Sequence, residues 1–255
     1  MPFILRAIPC LSDNYAYLIH DPDTDDTAVI DVPDAAAVQA ALDETGRRLS
    51  HILITHHHDD HIGGVDVLRA ATGARVVGAA ADAHRLPALD LAVAPGDRVQ
   101  VGRESARVID VSGHSVGHVA YHFPDSGLAF TGDSLMALGC GRLFEGTAAQ
   151  MWDSLMRLDA LDGETLIASG HDYMDANAAF ALSIEPGNAD LKARAERIAP
   201  DRAEGRPMAV VPLALERRTN PFLRAREPAV KAALGMTGAP DAEVFAEIRR
   251  RKDRF

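Results

Sequence analysis

Residues 51–61, His51-Ile52-Leu53-Ile54-Thr55-His56-His57-His58-Asp59-Asp60-His61, place histidines and aspartates directly after a short apolar run. The apolar run predicts a buried strand, from His51 to Thr55, that ends where the polar residues begin. Loops at strand ends are where a sheet presents functional side chains. Imidazole nitrogens and carboxylate oxygens are ligands for zinc, iron and manganese. The stretch therefore predicts a catalytic metal site at the end of a strand.

The bulk composition is that of a globular protein and not of a membrane or disulfide-rich protein. The chain has 255 residues, of which 47% are hydrophobic and 25% are charged, so one large domain or two modest domains fit. Its apolar runs all fall short of the ~18 residues that a transmembrane helix needs, and its start lacks the pattern of a signal peptide. The two cysteines, Cys10 and Cys140, favour a reducing compartment over a disulfide framework. We therefore expect a cytoplasmic protein.

The net charge of -11 disfavours general binding to nucleic acids, because an acidic surface repels phosphate backbones. The basic tail Arg249–Arg254 is the exception, and it has two interpretations. It is either a local site for an anionic small molecule or the last turn of a helix, where basic residues offset the helix dipole. On the residues alone, the second interpretation is favoured.

Short strands alternate with loops and a few helices through the first ~170 residues. Predicted strands are Tyr15–His20, Ala28–Asp31, Arg75–Val77, Arg98–Val101, Ala106–Val111, Val119–Phe123, Leu128–Thr131 and Thr165–Ser169. Predicted helices are Ala35–Leu49, Gly63–Thr72 and a segment that begins at a capping box of Thr147 and Gln150 and runs to about Leu161.

Strand patterns end after His171, and helical patterns take over. Predicted helices are Met174–Ser183, Asn188–Ile198, Pro228–Leu234 and Asp241–Arg251. We therefore predict a catalytic domain over residues 1–172 and a small helical domain over residues 173–255.

Four predicted strands deliver ligand-type residues where they end, three of them just after a glycine, which lets the backbone turn sharply. The set comprises five histidines and two aspartates: His56, His58, Asp60, His61, His114, Asp133 and His171. Seven ligands exceed the needs of one tetrahedral ion but suit two ions that share one carboxylate. Two such ions activate a water and polarise a carbonyl, so the set indicates hydrolysis of an acyl compound.

The remaining histidines lack this context. His57 lies inside the motif, but we expect its side chain to point away from its neighbours. His118 follows His114 by four residues and is a candidate for orienting a ligand. We assign structural or surface positions to the others, His20, His51, His84 and His122.

The motif His56-x-His58-x-Asp60-His61, followed in order by His114, Asp133 and His171, resembles the signature of metallo-β-lactamase-fold hydrolases. Further motifs narrow the resemblance to the hydroxyacylglutathione hydrolases, the glyoxalase II family, and extend it over essentially the whole chain. They are Ser12-Asp13-Asn14-Tyr15, Gly139-Cys140-Gly141-Arg142, Phe144-Glu145-Gly146-Thr147, Gly170-His171-Asp172-Tyr173, Thr219-Asn220-Pro221-Phe222-Leu223-Arg224 and Arg249–Phe255. The resemblance implies an α+β fold: an αββα sandwich followed by a small all-α domain that helps bind glutathione.

The resemblance also implies residue roles. One divalent ion is held by His56, His58 and His114, and a second by Asp60, His61 and His171, with Asp133 bridging the two; zinc is the expected metal, with iron or manganese as alternatives. Water between the ions attacks the thioester, and Asp60 orients it or accepts its proton. Arg249 and Lys252, three apart on a helix, correspond to the pair that binds the glycine carboxylate of glutathione. This reverses the preference for a purely structural tail at those two positions.

Three more residues correspond to the family's substrate-binding positions. Tyr173 is expected to contact the glutathione backbone. Arg142 stands where lysine is usual, which keeps the charge but changes the geometry. Phe144 stands where tyrosine is usual, which removes a hydroxyl hydrogen bond worth roughly 0.5–1.5 kcal/mol.

The expected function is hydrolysis of S-(2-hydroxyacyl)glutathione, chiefly S-D-lactoylglutathione, to D-lactate and glutathione, in methylglyoxal detoxification. A thiol has a pKa near 8.5 and leaves as an anion without a dedicated acid. We expect a monomer. The alternatives are a one-iron persulfide dioxygenase, a nuclease or phosphodiesterase of the same superfamily, and an inactive metal-binding module. The full ligand set argues against the first and last, and the acidic charge argues against the second.

Overall fold

The structure is a computed structural model that describes residues 2–255. Its contacts divide the chain into two compact units. The first unit comprises residues 2–110 and 117–132, and the second comprises residues 111–116 and 133–255. Among residues 2–255, no helix is both long enough and apolar enough to cross a membrane.

The first unit contains a six-stranded mixed sheet in the order β1 to β6. Its strands are β1 (Ile4–Cys10), β2 (Asn14–His20), β3 (Thr27–Ile30), β4 (Leu49–Leu53), β5 (Arg75–Ala79) and β6 (Leu91–Val93). Strands β1 to β3 pair antiparallel, and β3 to β6 pair parallel. Because β3, β4 and β5 are parallel, the loops after them emerge at one edge, where the sequence places the histidine motif.

Helices α1 (Ala35–Thr45) and α3 (Val65–Thr72) cover one face of this sheet. The Asp34 carboxylate caps α1 by accepting from the Ala36 and Ala37 amides at 2.8 and 3.3 Å. The expectation that this helix reaches Leu49 is wrong. Gly46 ends the helix in the left-handed region at φ 65°, and Leu49 already belongs to β4.

An antiparallel four-stranded layer packs on the other face. It comprises β7 (Arg98–Val101), β8 (Glu104–Asp110), β9 (Val119–Phe123) and β10 (Leu128–Gly132), and β7 pairs with β8 as a hairpin. Leu18 belongs to the core under the helices, whereas its neighbour Tyr17 lies 5.5 Å from Phe130 between ring centroids. This alternation along β2 lets one strand fill both interlayer cores.

The second unit is mainly helical. Its strands form two pairs, β11 (Leu135–Met136) with β12 (Gly139–Cys140) and β13 (Leu166–Ser169) with β14 (Val210–Pro212). The expectation that strands end at His171 is wrong, because β14 pairs antiparallel with β13. A strand of three residues is too short to create a detectable alternation.

All the predicted helices of the second unit are present, one of them, predicted to end at Ile198, runs on to Ala203, and one further α-helix is added. They are α4 (Ala148–Asp159), α5 (Met174–Ile184), α6 (Ala189–Ala203), α7 (Leu213–Thr219), α8 (Pro228–Ala233) and α9 (Asp241–Lys252). The Thr147–Gln150 capping box is confirmed at the start of α4. Helix α7 was not predicted. Aromatic rings form the core, with Phe245 of α9 lying 5.9 Å from Trp152 and 5.8 Å from Phe222 between centroids.

Candidate metal centre

The histidine motif folds into a tight turn at the end of β4. His58 has extended backbone angles and precedes a single helical turn, α2 (Asp59–Ile62), and the His61 amide donates to the His58 carbonyl at 2.8 Å. The turn brings the imidazoles together. The ring of His56 lies 4.7 Å from that of His58 and 4.1 Å from that of His61, and His56 Nε2 lies 3.1 Å from His58 Nδ1. This crowding of ring nitrogens suits a shared cation.

Asp31 anchors the turn, and it was not predicted as a site residue. It follows β3 with φ 54°, accepts from the Thr55 amide at 2.8 Å and from the Thr55 hydroxyl at 2.7 Å, and lies 2.8 Å from His61 Nδ1. A carboxylate at Nδ1 keeps the proton there, so Nε2 of His61 carries the lone pair for a metal. The signal was available, since Asp31 is a strand-end aspartate like Asp133.

Asp60 is oriented from the start of the chain. Asn14 Nδ2 donates to the Asp60 carbonyl at 3.0 Å and to Asp60 Oδ2 at 3.1 Å. Asp60 Oδ2 lies 3.9 Å from His61 Nε2, and the Asp60 side chain is 44% exposed. The carboxylate is thus accessible to solvent while an amide holds one of its oxygens.

His57 and His118 have different surroundings. His57 Nδ1 lies 2.9 Å from Oδ2 of Asp82, which is buried, so this ring points to a partner of its own. His118 stacks on His56 with 4.5 Å between centroids and 11° between planes. A Cβ atom at Gly132 would lie 2.7 Å from His118 Cε1 and 2.6 Å from Thr55 Oγ1, which explains the glycine at this position.

Four further histidines were assigned structural or surface positions: His20, His51, His84 and His122. His84 is exposed, and His122 is buried. His20 Nδ1 lies 3.0 Å from Thr27 Oγ1, and His51 Nδ1 lies 2.9 Å from Ser50 Oγ.

The second unit brings together His114, Asp133 and His171, all of them buried. Asp133 Oδ2 lies 3.5 Å from His114 Nε2 and 3.3 Å from His171 Nε2. His114 Nδ1 lies 2.7 Å from the Arg142 carbonyl, to which it donates, so its Nε2 is the nitrogen free of a proton. One carboxylate oxygen that faces two imidazole nitrogens has the chemistry of a bridging ligand. The donor set of both units fits divalent cations.

Two predicted substrate residues lie beside these histidines. The ring of Phe144 is 61% exposed and meets the His114 ring edge-on, with centroids 5.3 Å apart. Tyr173 is 41% exposed and stacks on His171 at 4.8 Å and 9°. Both offer apolar surface to a ligand at the histidines. Arg142 is exposed, and its Nε lies 3.6 Å from Asp253 Oδ1.

Arg249 and Lys252 differ in their surroundings although both lie on α9. Arg249 is only 6% exposed; it donates to the Cys140 carbonyl at 2.9 Å and from Nη2 to Asp253 at 2.8 Å, and it lies over the Phe222 ring. Lys252 donates to the Ala176 carbonyl at 2.9 Å. Burial, and secondarily the charge of Arg249, lowers the pKa of Lys252.

Both cysteines are buried thiols without a disulfide partner. Burial raises the pKa of Cys140 to about 11, although the charge and hydrogen bond of Arg249 act in the opposite direction. Burial likewise raises the pKa of Cys10. Neither thiol therefore has the character of a nucleophile.

Comparison with known proteins gives two adjoining family matches. The metallo-beta-lactamase superfamily model matches residues 12–171, and the model described as hydroxyacylglutathione hydrolase C-terminus matches residues 172–255. Curated relatives match over the full length. The hydroxyacylglutathione hydrolases of Cereibacter sphaeroides strain ATCC 17025 and of Ruegeria pomeroyi are 63% and 57% identical over 255 residues, which is 100% of each chain.

Solved structures share the fold. ETHE1 from Myxococcus xanthus is 29% identical with a TM-score of 0.66, over 97% of this chain and 96% of that one. TTHA1623 in a di-iron-bound form is 26% identical with a TM-score of 0.63, over 86% of this chain and all of that one. The α+β metallo-β-lactamase fold with a helical C-terminal part, expected from the resemblance, is confirmed.

Proposed function

We propose a catalytic arrangement for this chain, which belongs to the hydroxyacylglutathione hydrolase family of metallo-β-lactamase-fold enzymes. It is a thioester hydrolase that releases a hydroxy acid and glutathione, as its full-length relatives are named. The observation that carries this function is the 63% identity over the whole chain. As the chief substrate we propose S-D-lactoylglutathione, which gives D-lactate.

Two divalent ions per chain are part of the proposal, with zinc as the metal. One ion takes His56, His58 and His114, the other takes Asp60, His61 and His171, and Asp133 joins them. Support comes from the crowded nitrogens of the first unit and from the position of Asp133 Oδ2 between two imidazoles. The di-iron-bound form of TTHA1623 supports a count of two and leaves iron as an alternative to zinc. Ions bound there would lower the pKa of a water and polarise the thioester carbonyl.

The chain's own residues then orient the imidazole rings and accept the proton of the attacking water. We propose that Asp60 accepts the proton of the attacking water, because its carboxylate is partly exposed and Asn14 fixes one of its oxygens. Asp31 and the Arg142 carbonyl hold the Nδ1 protons of His61 and His114. The leaving group is a thiolate with a pKa near 8.5, which needs no protein acid to depart.

For glutathione we propose contacts with Tyr173, Phe144 and Arg142 near the histidines, and with Lys252 and Arg249 on α9. The exposed rings of Phe144 and Tyr173 support an apolar contact with the thioester. Lys252 supplies a cation held by one backbone bond. Arg249 adds charge from a buried position and holds the Cys140 carbonyl.

The division into domains at residues 172 and 173, a monomeric state and a cytoplasmic location also remain proposals. The two family matches, which meet between residues 171 and 172, support the division. The two buried thiols suit a reducing compartment.

The testing experiment measures S-D-lactoylglutathione hydrolysis and metal content on one sample. We expect loss of the thioester absorbance with close to two metal ions per chain. A single iron with oxygen consumption on a glutathione persulfide would favour the dioxygenase alternative. Bound metal without thioester turnover would indicate an inactive metal-binding module.

A further inference from the structure

We propose that Asn220 and Glu216 are positioning residues that hold the β11–β12 hairpin and, through it, the carboxylate of Asp133 and the imidazole of His114. The proposal rests on the metal-binding roles assigned above to Asp133 and His114. The catalytic arrangement proposed above assigns no role to the Thr219-Asn220-Pro221-Phe222 motif. The positioning role would explain two of its residues.

The hairpin has a turn that needs support from outside. It begins with Leu135, two residues after Asp133, and turns at Leu138, a non-glycine residue with φ 55°. Left-handed backbone at a bulky side chain is unfavourable and persists only where the surroundings enforce it. The hairpin pairs through only two residues on each strand, so its own ladder contributes little.

Asn220 supplies part of that support. It is fully buried, and its side-chain amide donates to the Met136 carbonyl at 3.1 Å and to the Gly139 carbonyl at 2.9 Å, one on each side of the turn. Its oxygen accepts from the Phe222 amide at 3.0 Å, which fixes the orientation of the side chain.

Glu216 holds the turn residue itself. Its Oε2 accepts from the Leu138 amide at 2.9 Å and lies 2.8 Å from Asn220 Nδ2. Its Oε1 pairs with Arg194, which also donates to the Thr219 hydroxyl at 2.6 Å. Glu216 is fully buried, and the Arg194 guanidinium is its ion-pair partner there.

Asn177 of α5 completes the set by donating to the Ala137 carbonyl at 3.0 Å. Each of the four residues from Met136 to Gly139 therefore has a backbone group bound by a side chain from α5 or from the C-terminal part of α7. Side-chain hydrogen bonds to four consecutive buried residues fix the turn in one place.

The hairpin transmits its position to the histidine and the aspartate. The Gly141 amide donates to the Ser134 carbonyl at 3.1 Å, and a Cβ atom at Gly141 would lie 2.0 Å from the Asp133 carbonyl oxygen and 2.9 Å from His114 Nδ1. The next residue, Arg142, provides the carbonyl that holds His114 Nδ1. A hairpin that shifts therefore moves the Asp133 backbone and the hydrogen-bond partner of His114 together.

The test uses Asn220→Asp, Glu216→Gln and Asn177→Ala. Asp at position 220 keeps the shape and the bond from Phe222 but cannot donate to the two carbonyls. Glu185→Gln is the matched control, because Glu185 is a buried acid of the same unit that pairs with Arg224 at 2.7 Å and forms none of these hairpin bonds. Zinc affinity is measured by competition with a chelator at a temperature where every variant is folded, and kcat and KM are measured with S-D-lactoylglutathione.

We expect the Asn220 and Glu216 variants to bind zinc roughly 10- to 100-fold more weakly and to lose kcat by a similar factor, with KM little changed. The control should lose only thermal stability. Should the first two variants fail to fold, Asn177→Ala becomes the deciding variant, because it removes a single hydrogen bond. It should lower zinc affinity and kcat in the same direction by a smaller factor. Wild-type zinc affinity and kcat in folded variants would overturn the proposal. If Asp133→Ala also keeps its zinc, the assumed metal role fails as well; if Asp133→Ala loses it, only the positioning role fails.

Discussion

The Asp31 carboxylate lies 2.8 Å from Nδ1 of His61, although the two residues are 30 positions apart in the chain. Both are buried, and the same carboxylate takes the amide and hydroxyl of Thr55. Asp31 thus ties the end of β3 to the residue that begins the histidine motif and to the one that ends it. The ring orientation of His61 is set by this contact.

Asp31→Asn is expected to weaken zinc binding by roughly 10- to 100-fold, because both oxygens of Asp31 accept hydrogen bonds, and an amide nitrogen in place of either one would face the Thr55 amide or the His61 Nδ1–H donor. Chelator competition measures the effect. Asp21→Asn is the control, since Asp21 is a buried aspartate that follows β2 and accepts from the Arg103 amide at 2.7 Å. Equal zinc affinities for the two variants would mean that Asp31 does not orient His61.

Asp133→Ala is expected to abolish hydrolysis and to lower the metal content, because it removes the oxygen that faces both His114 and His171. Elemental analysis after gel filtration gives the stoichiometry, and the thioester assay gives turnover. Two metals per chain with normal kcat would refute the bridging role. Loss of one metal with partial turnover would show that a single ion can support the reaction, which also contradicts the arrangement.

Arg249→Ala is expected to lower mainly stability, and Lys252→Ala to raise mainly KM. The double variant is expected to raise KM far more than it lowers kcat. Arg249→Ala leaves the buried Cys140 carbonyl without its donor, which costs about 1–3 kcal/mol of unfolding free energy. Lys252→Ala should change stability by less than about 1 kcal/mol and mainly raise KM. Urea unfolding and KM for S-D-lactoylglutathione separate the two effects. An unchanged KM in the double variant would contradict the assignment of α9 to glutathione.

The clustering of these histidines and aspartates was predictable because its signals are local. A strand followed at once by histidines and aspartates pointed to His56 to His61, and a glycine just before each later residue pointed to His114, Asp133 and His171. The predicted helix at Ala35 was too long, although Gly46 was available in the sequence as its end.

The supporting contacts were not predictable, because they join residues far apart in the chain. Asn220 holds carbonyls more than 80 positions away, and no periodicity records such a bond. Arg249 was expected to reach substrate from a charged tail. The spacing of Phe245, Ile248 and Arg249 also places the Arg249 side chain on the buried stripe of α9, and that pattern is visible only when the stripe is known to face a core.

The rate of Cys140 alkylation should be low at neutral pH, because the pKa of the thiol is raised. With a pKa of about 11, the thiolate is scarce at neutral pH, so labelling by iodoacetamide should be slow at pH 7 and rise about tenfold per pH unit towards pH 10. Mass spectrometry of the Cys140 peptide measures the rate, with urea-unfolded protein as the reference for an ordinary thiol. Rapid labelling of the folded protein at pH 7 would contradict the assignment of a neutral, buried thiol.

Gly141→Ala should reduce both stability and metal affinity, because the added methyl group would lie 2.0 Å from the Asp133 carbonyl oxygen and 2.9 Å from His114 Nδ1. The oxygen is backbone, so relief requires the hairpin itself to move, at a cost of about 1–3 kcal/mol. Gly187→Ala is the matched control, since no atom lies within 4 Å of the corresponding methyl position. Unfolding in urea and chelator competition for zinc measure the two effects side by side. If Gly141→Ala matches Gly187→Ala in both, the close approach at Gly141 does not constrain Asp133. If stability falls but zinc affinity does not, the ligands tolerate a displaced hairpin, and the structural link between the hairpin and the metal centre is lost.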